Sequence, residues 1–154
     1  MDRNLLVRPA TPEDFAQWLP LGHGYNAFYG RAGATALPEQ VTQTTWQRFF
    51  DAYEPVHARV AEQGGALLGL AHFLFHRSTI RVGPNGYLND LFTDEAARGR
   101  GVGRPLIEAV AERARDSGAT SVYWLTHETN ATTMRLYDQV AAKSGFIDYR
   151  RESP

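Results

Sequence analysis

The chain of 154 residues contains no cysteine, which excludes a disulfide framework and every Cys-ligated zinc or iron–sulfur site. It has no excess of charge of either sign: 16 basic residues face 17 acidic ones, for a net charge of −1. That balance gives no global electrostatic case for binding nucleic acid or an anionic membrane. Lysine is nearly missing, with Lys143 alone among the basic residues. Apolar runs extend over only a few residues, and Met1-Asp2-Arg3-Asn4 begins no signal-like segment, so the sequence reads as a soluble cytoplasmic protein with no membrane partner. No repeat, low-complexity block or linker divides residues 1–154, and the length suits one compact domain able to bury its own core.

Hydrophobic periodicity then organises the chain. Leu5-Leu6-Val7 predicts a short strand closed by Arg8-Pro9, and Thr11-Pro12-Glu13-Asp14 supplies a helix start. Phe15, Trp18 and Leu19 and then Tyr25, Phe28 and Tyr29 recur at helical spacing, with Pro20, Gly22 and Gly24 predicting a break between the two groups. Trp46, Phe49, Phe50 and Tyr53 predict a second helix over 44–53. Residues 56–61 and 66–76 form a hairpin pattern about Gly64-Gly65; Asn85-Gly86 predicts another turn, followed by a strand over 87–93. Leu106, Ile107, Val110, Ala111 and Ala114 mark an amphipathic helix stopped at Gly118. A buried central strand over 122–126, a helical period over 130–143 and a last strand over 146–149 complete an α/β pattern with a mixed sheet flanked by helices.

The most informative segment is Arg98-Gly99-Arg100-Gly101-Val102-Gly103-Arg104, between a strand and a helix. Glycines permit positive φ and close backbone approach, a helix start offers unpaired N–H donors, and guanidinium groups pair with phosphate oxygens. A nucleoside-triphosphate loop would end in Gly-Lys-Ser/Thr, and a dinucleotide fingerprint would place an acid on the following strand; neither is present.

Arg98-x-x-Gly101-x-Gly103 after a strand resembles the acetyl-CoA pyrophosphate motif of the GNAT superfamily of N-acetyltransferases. Asn130 with Leu136-Tyr137 resembles that family's second signature, and Tyr87-Leu88-Asn89-Asp90-Leu91-Phe92-Thr93 its splayed fourth strand. Tyr-Leu-x-Asp-Leu-Phe and the stretch Leu136 to Gly145 look most like the small histone and polyamine acetyltransferase-like subgroup. The resemblance implies acetyl transfer to a primary amine of a small molecule or peptide, with acetyl-CoA as cosubstrate, no metal, and a homodimer or larger assembly, for which the strand over 146–149 offers an edge. It also implies cofactor contacts from Leu91, Phe92, Thr93, Arg98 to Arg104, Asn130 and Tyr137, an oxyanion site at the backbone N–H of Leu91 or Phe92, and proton donation to the thiolate by Tyr137.

The general base is the point of departure. Asn89 stands where polyamine acetyltransferases carry Glu, and an amide accepts no proton at neutral pH. The adjacent Asp90 is the candidate catalytic carboxylate, although a regular strand sends the two side chains to opposite faces, and the competing reading leaves Asp90 structural, buried with Leu88 and Phe92. A water chain, His72, His76 and Glu128 are the alternatives. Tyr25, Tyr29 and Trp46, on the two early helices, are candidate walls for a substrate ammonium group, with Asn89 beside them. Two other readings compete: an acyl-CoA-sensing module without catalysis, and a nucleotide-binding α/β domain.

Overall fold

A computed structural model describes residues 4–153. They fall into two units, Met1–Trp124 and Leu125–Pro154. The first contains β1 (Leu6–Pro9), α1 (Phe15–Phe28), α2 (Glu39–Arg48), β2 (Val56–Gln63), β3 (Ala66–His76), β4 (Asn85–Thr93), α3 (Gly103–Asp116) and β5 (Val122–Tyr123). The second contains α4 (Ala131–Val140). The sheet runs in sequence order β1 to β5, antiparallel throughout except for the parallel pair β4–β5.

Strand alternation assigns the two faces of the sheet. Val60, Leu67 and Leu70 pack with Trp18 and Leu21 of α1, whereas the neighbouring Gly69 lies against Val102 and Leu106 at the start of α3. Leu106 and Val110 of α3 are fully buried, as the apolar stripe of that helix requires. Arg113 and Arg115 occupy its last turn, where they complement the helix dipole, and Gly118 beyond them has φ +82.

Several boundaries differ from those expected. Helix α1 is continuous through Pro20. An interior proline costs about 3 kcal/mol, which burial of Trp18 and Leu21 on the same helix offsets. Gly24 is clearance rather than a breaker: a β-carbon there would lie 2.8 Å from Cζ of Phe92. Helix α2 starts and ends five residues early, because Glu39 enters the helix directly after Pro38 and Asp51 Oδ1 accepts the Tyr53 N–H in a turn that competes with helix.

Asn85 and Gly86 are the first residues of β4, paired with His76 and Phe75, so the chain reverses over 77–84 instead. Strand β5 is only two residues long and Tyr123 is exposed, since its pairing with β4 stops at Gly86–Val122 and Tyr87–Tyr123. The strand expected over 146–149 is not formed: no described segment pairs with it, and Phe146 is 90% exposed.

Candidate active site

The decisive local feature is a β-bulge in β4. His72 pairs with Asp90 and Phe73 with Leu88, so Asn89 is an extra residue opposite none on β3. The bulge breaks the alternation that would have put Asn89 and Asp90 on opposite faces. Asn89 Nδ2 instead donates to Asp90 Oδ1 at 2.7 Å, and Asp90 turns its carboxylate toward α1. Asn89 itself is exposed.

Asp90 is the end of a relay that begins in the core. The Trp18 indole donates from Nε1 to His72 Nε2 at 3.0 Å, and His72 Nδ1 lies 2.8 Å from Asp90 Oδ2. An indole N–H can only donate, so Nε2 is the acceptor nitrogen and the imidazole proton resides on Nδ1, pointing at Asp90. Both ring nitrogens of His72 are thereby engaged. The side chains of His72 and Asp90 are 9% and 18% exposed. Tyr25 also hydrogen-bonds Asp90.

Burial opposes the charge on Asp90, but the hydrogen bonds from His72, Tyr25 and Asn89 outweigh it and hold the carboxyl below its ordinary range. The Tyr25 phenol moves the other way, raised by burial and by the adjacent Asp90 carboxylate. Asp90 is thus a fixed anion rather than a readily protonated base.

Trp18, Tyr25, His72 and Asp90 form one wall of a cavity of about 210 Å³. The lining also includes Asn26 of α1, Arg31 just past its end, and Val41, Thr42 and Thr45 of α2. Trp46 does not line it; its ring packs 4.7 Å from Trp18 and 5.5 Å from Phe15 in the aromatic core beneath. Tyr29 is exposed and packs against Tyr25 in a tilted arrangement, ring centroids 5.0 Å apart. His76 lies at the far end of β3, with Nε2 2.8 Å from the Tyr123 hydroxyl and Nδ1 2.9 Å from the Arg77 carbonyl.

Beside the cavity, β4 pairs with β3 over its length but with β5 only at Gly86 and Tyr87. Past Tyr87 its outer edge has no strand partner among the described residues, which leaves alternate backbone N–H and C=O groups of 88–93 directed away from the ladder. Phe92 packs edge-on against Tyr25 at 6.4 Å.

The glycine-rich turn follows. Gly99 and Gly101 have φ of +78 and +75, a region closed to most side chains, and Gly103 opens α3, whose first-turn N–H groups lack intrahelical acceptors. Val102 is buried and anchors the loop. Arg98 folds back, with Nε 3.3 Å from the Thr93 carbonyl and its guanidinium over Phe92, while Arg100 pairs with Gln63; Arg104 is exposed on α3. A phosphate-bearing ligand fits this turn through backbone donors and the helix dipole.

In the second unit, Asn130 precedes α4 and its Oδ1 accepts from Thr133 Oγ1 at 2.9 Å; Tyr137 lies on the same helix, its carbonyl accepting from Ala141 N–H at 2.8 Å. Glu128 also belongs to this unit. Sequence reasoning did not single out Trp18 as a donor or Arg31, Thr42 and Thr45 as cavity residues.

Residues 22–141 match the acetyltransferase (GNAT) family. The chain belongs to the GNAT acetyltransferase family. It is 36% identical over 149 residues to the D-amino-acid N-acetyltransferase HPA3 of Saccharomyces cerevisiae, covering 96% of this chain and 90% of that one. It is 28% identical over 149 residues to the mycothiol acetyltransferase of Thermomonospora curvata, covering 96% of this chain and 47% of that one. The fold matches that of AAC(6')-Iy solved with the bisubstrate analog CoA-S-monomethyl-acetylneamine, with a TM-score of 0.81 at 16% identity, covering 97% of this chain and 99% of that one. The protein is therefore an acetyl-CoA-dependent N-acetyltransferase, and the nucleotide-binding and non-catalytic readings of the glycine turn fall away. Among the described residues no group of three His, Asp or Glu side chains is arranged for a metal, and no helix is long and apolar enough to cross a membrane.

Proposed function

We propose that this GNAT acetyltransferase acetylates the amino group of a small molecule held in the cavity of Trp18, Tyr25, His72 and Asp90. The observation that carries this reading is the Asp90 carboxylate, fixed by three donors on the cavity wall and belonging to the strand whose outer edge is left open. An ionised carboxylate that is largely withdrawn from solvent attracts an ammonium ion, and the Tyr25 ring adds a π face beside it. The relatives named for a D-amino acid and for mycothiol support a small-molecule acceptor.

The bound ammonium first loses a proton to water. Asp90 positions the resulting amine through a hydrogen bond and, with its lowered pKa, does not keep the proton. The neutral nitrogen attacks the acetyl carbonyl carbon, a C–N bond forms, and the developing oxyanion is met by a backbone N–H of Leu91 or Phe92 on the open edge of β4. The C–S bond then breaks, Tyr137 protonates the thiolate, and the second proton of the attacking nitrogen is released through water to restore the Tyr137 phenol, leaving the neutral amide and free CoA thiol. Asn130, seven residues before Tyr137, contacts the pantetheine arm, and Arg98 to Arg104 hold the pyrophosphate, chiefly through backbone N–H groups. Residues 1–154 act as one functional domain in this reading, and as a homodimer, for which exposed Phe146, Ile147 and Tyr149 offer apolar surface.

The test is a thermal melt with acetyl-CoA, NAD or ATP at equal concentration. A ligand at 100 times its Kd stabilises the native state by about 2.7 kcal/mol, and acetyl-CoA alone is expected to raise Tm. A rise with NAD or ATP and none with acetyl-CoA would overturn the reading.

A further inference from the structure

The cavity has a second charged group. Arg31, just past the end of α1, lines the same cavity as Asp90, and Tyr25 touches both: its hydroxyl hydrogen-bonds Asp90 and its ring centroid is 5.7 Å from the Arg31 guanidinium carbon. Arg31 is held in place by its own loop. Its backbone N–H donates to the Asn26 carbonyl at 2.8 Å, its Nε donates to Asn26 Oδ1 at 2.9 Å, and the Tyr29 ring lies 5.6 Å from Cζ.

With Nε pinned, the two terminal nitrogens form the remaining edge of the fork, and they make no hydrogen bond to a described residue. That edge matches the two oxygens of a carboxylate. Thr42 and Thr45, one turn apart on α2, line the same cavity and add hydroxyl groups able to donate to an anion. Among the described residues Asp90 is the one carboxylate on the lining, so a polycation would meet a single anion there together with the Arg31 cation.

We propose that the cavity is a zwitterion site: Asp90 takes the ammonium group of the acceptor, and Arg31, assisted by Thr42 and Thr45, takes a free carboxylate on the same molecule. The substrate class is then a free amino acid, and Arg31 is the residue that selects it over amino-acid amides, simple amines and polyamines. This rests on the cavity being the acceptor site. A carboxylate is present before and after acetyl transfer, so Arg31 acts on binding and selection, not on the bond-making step.

The experiment measures thiol release from acetyl-CoA with the D and L forms of alanine, methionine and phenylalanine, their carboxamides, their decarboxylated amines, and spermidine. With the wild-type protein, kcat/KM for the preferred acid should exceed that for its amide and its amine by about 10- to 100-fold, the range expected for one charge-assisted bidentate contact. Arg31→Gln should remove that preference by raising KM for the acid, while kcat/KM for the decarboxylated amine stays within a few-fold of wild type. Arg31→Lys, which keeps the charge without the fork, should retain part of the preference and serves where the glutamine variant fails to fold.

Acids used no better than amides and amines, or an equal loss on all compounds in Arg31→Gln, overturns the carboxylate site while leaving the acceptor cavity intact. Thiol release from none of the compounds, by a protein that acetyl-CoA stabilises, overturns the acceptor reading and the proposal with it.

Discussion

The indole of Trp18 donates to His72 Nε2 at 3.0 Å, and this contact in the hydrophobic core determines which nitrogen of His72 faces Asp90. It links α1 to the bulge in β4 beside the cavity. Trp18→Phe keeps the aromatic packing and removes the donor. We expect a stability loss of about 1 kcal/mol and a mixed His72 tautomer population. Nitrogen-15 spectra of the ring should show Nδ1 protonated and Nε2 bare in the wild type; the reverse assignment would refute the relay.

Asp90 is expected to be needed for turnover and not for cosubstrate binding. Asp90→Asn keeps the shape, removes the charge and weakens the hold on the ammonium. kcat/KM should fall by about 100-fold or more, with the acetyl-CoA-induced Tm shift unchanged. Loss of that shift would mean that Asp90 supports the fold of β4 instead.

Tyr137→Phe separates proton donation from packing. Turnover should fall while acetyl-CoA affinity stays within a few-fold, and the deficit should shrink with a thioester whose leaving thiol is more acidic. Equal losses in turnover and binding would assign the ring to packing.

The amino-terminal ion network gives a pH signature. Arg8 donates from Nη1 and Nη2 to the two oxygens of Asp14 at 2.7 and 2.9 Å, and from Nε to Glu62 at 2.8 Å. These Arg8 hydrogen bonds, opposed by burial and aided by Thr11, hold the Asp14 carboxyl at about 2 against an ordinary value of 3.8. A depressed carboxyl pKa stabilises the native state above the unfolded value, and that stability is lost as pH falls from about 4 through 2. With Asp14 8% and Arg8 25% exposed, the contribution is on the order of 1–2 kcal/mol. Urea melts of Asp14→Asn should show the deficit at pH 7 and converge with wild type near pH 2; a constant difference would exclude this origin.

Gly101→Ala places a β-carbon at φ +75. The substitution should cost about 1 kcal/mol in stability and weaken acetyl-CoA more than it changes kcat. Unaltered cosubstrate affinity in a calorimetric titration would remove the turn from the binding site.

Local signals carried much of this architecture. The hairpin of β2 and β3 follows from alternation about Gly64-Gly65, α3 from one apolar stripe, and the glycine turn from composition and its place between strand and helix. What escaped depends on pairing at a distance. The bulge at Asn89 exists only in register with His72 and Phe73 on the neighbouring strand, and it decides where Asp90 points. Pro20 reads as a breaker until the burial of Trp18 and Leu21 is known. Arg31 sits in a loop without periodicity, so nothing local marks it as a cavity residue, and the short span of β5 follows from its pairing with β4 ending at Tyr87–Tyr123.

The most direct test of the central claim is thiol release from acetyl-CoA, measured with a thiol reagent on wild type and Asp90→Asn across a panel of small amines; the protein contributes no background because it has no cysteine. The account predicts amine-dependent release by wild type, N-acetylated product in equal amount, and near-complete loss in the variant. Release at the hydrolytic rate whatever the amine, or equal turnover by Asp90→Asn, would contradict it.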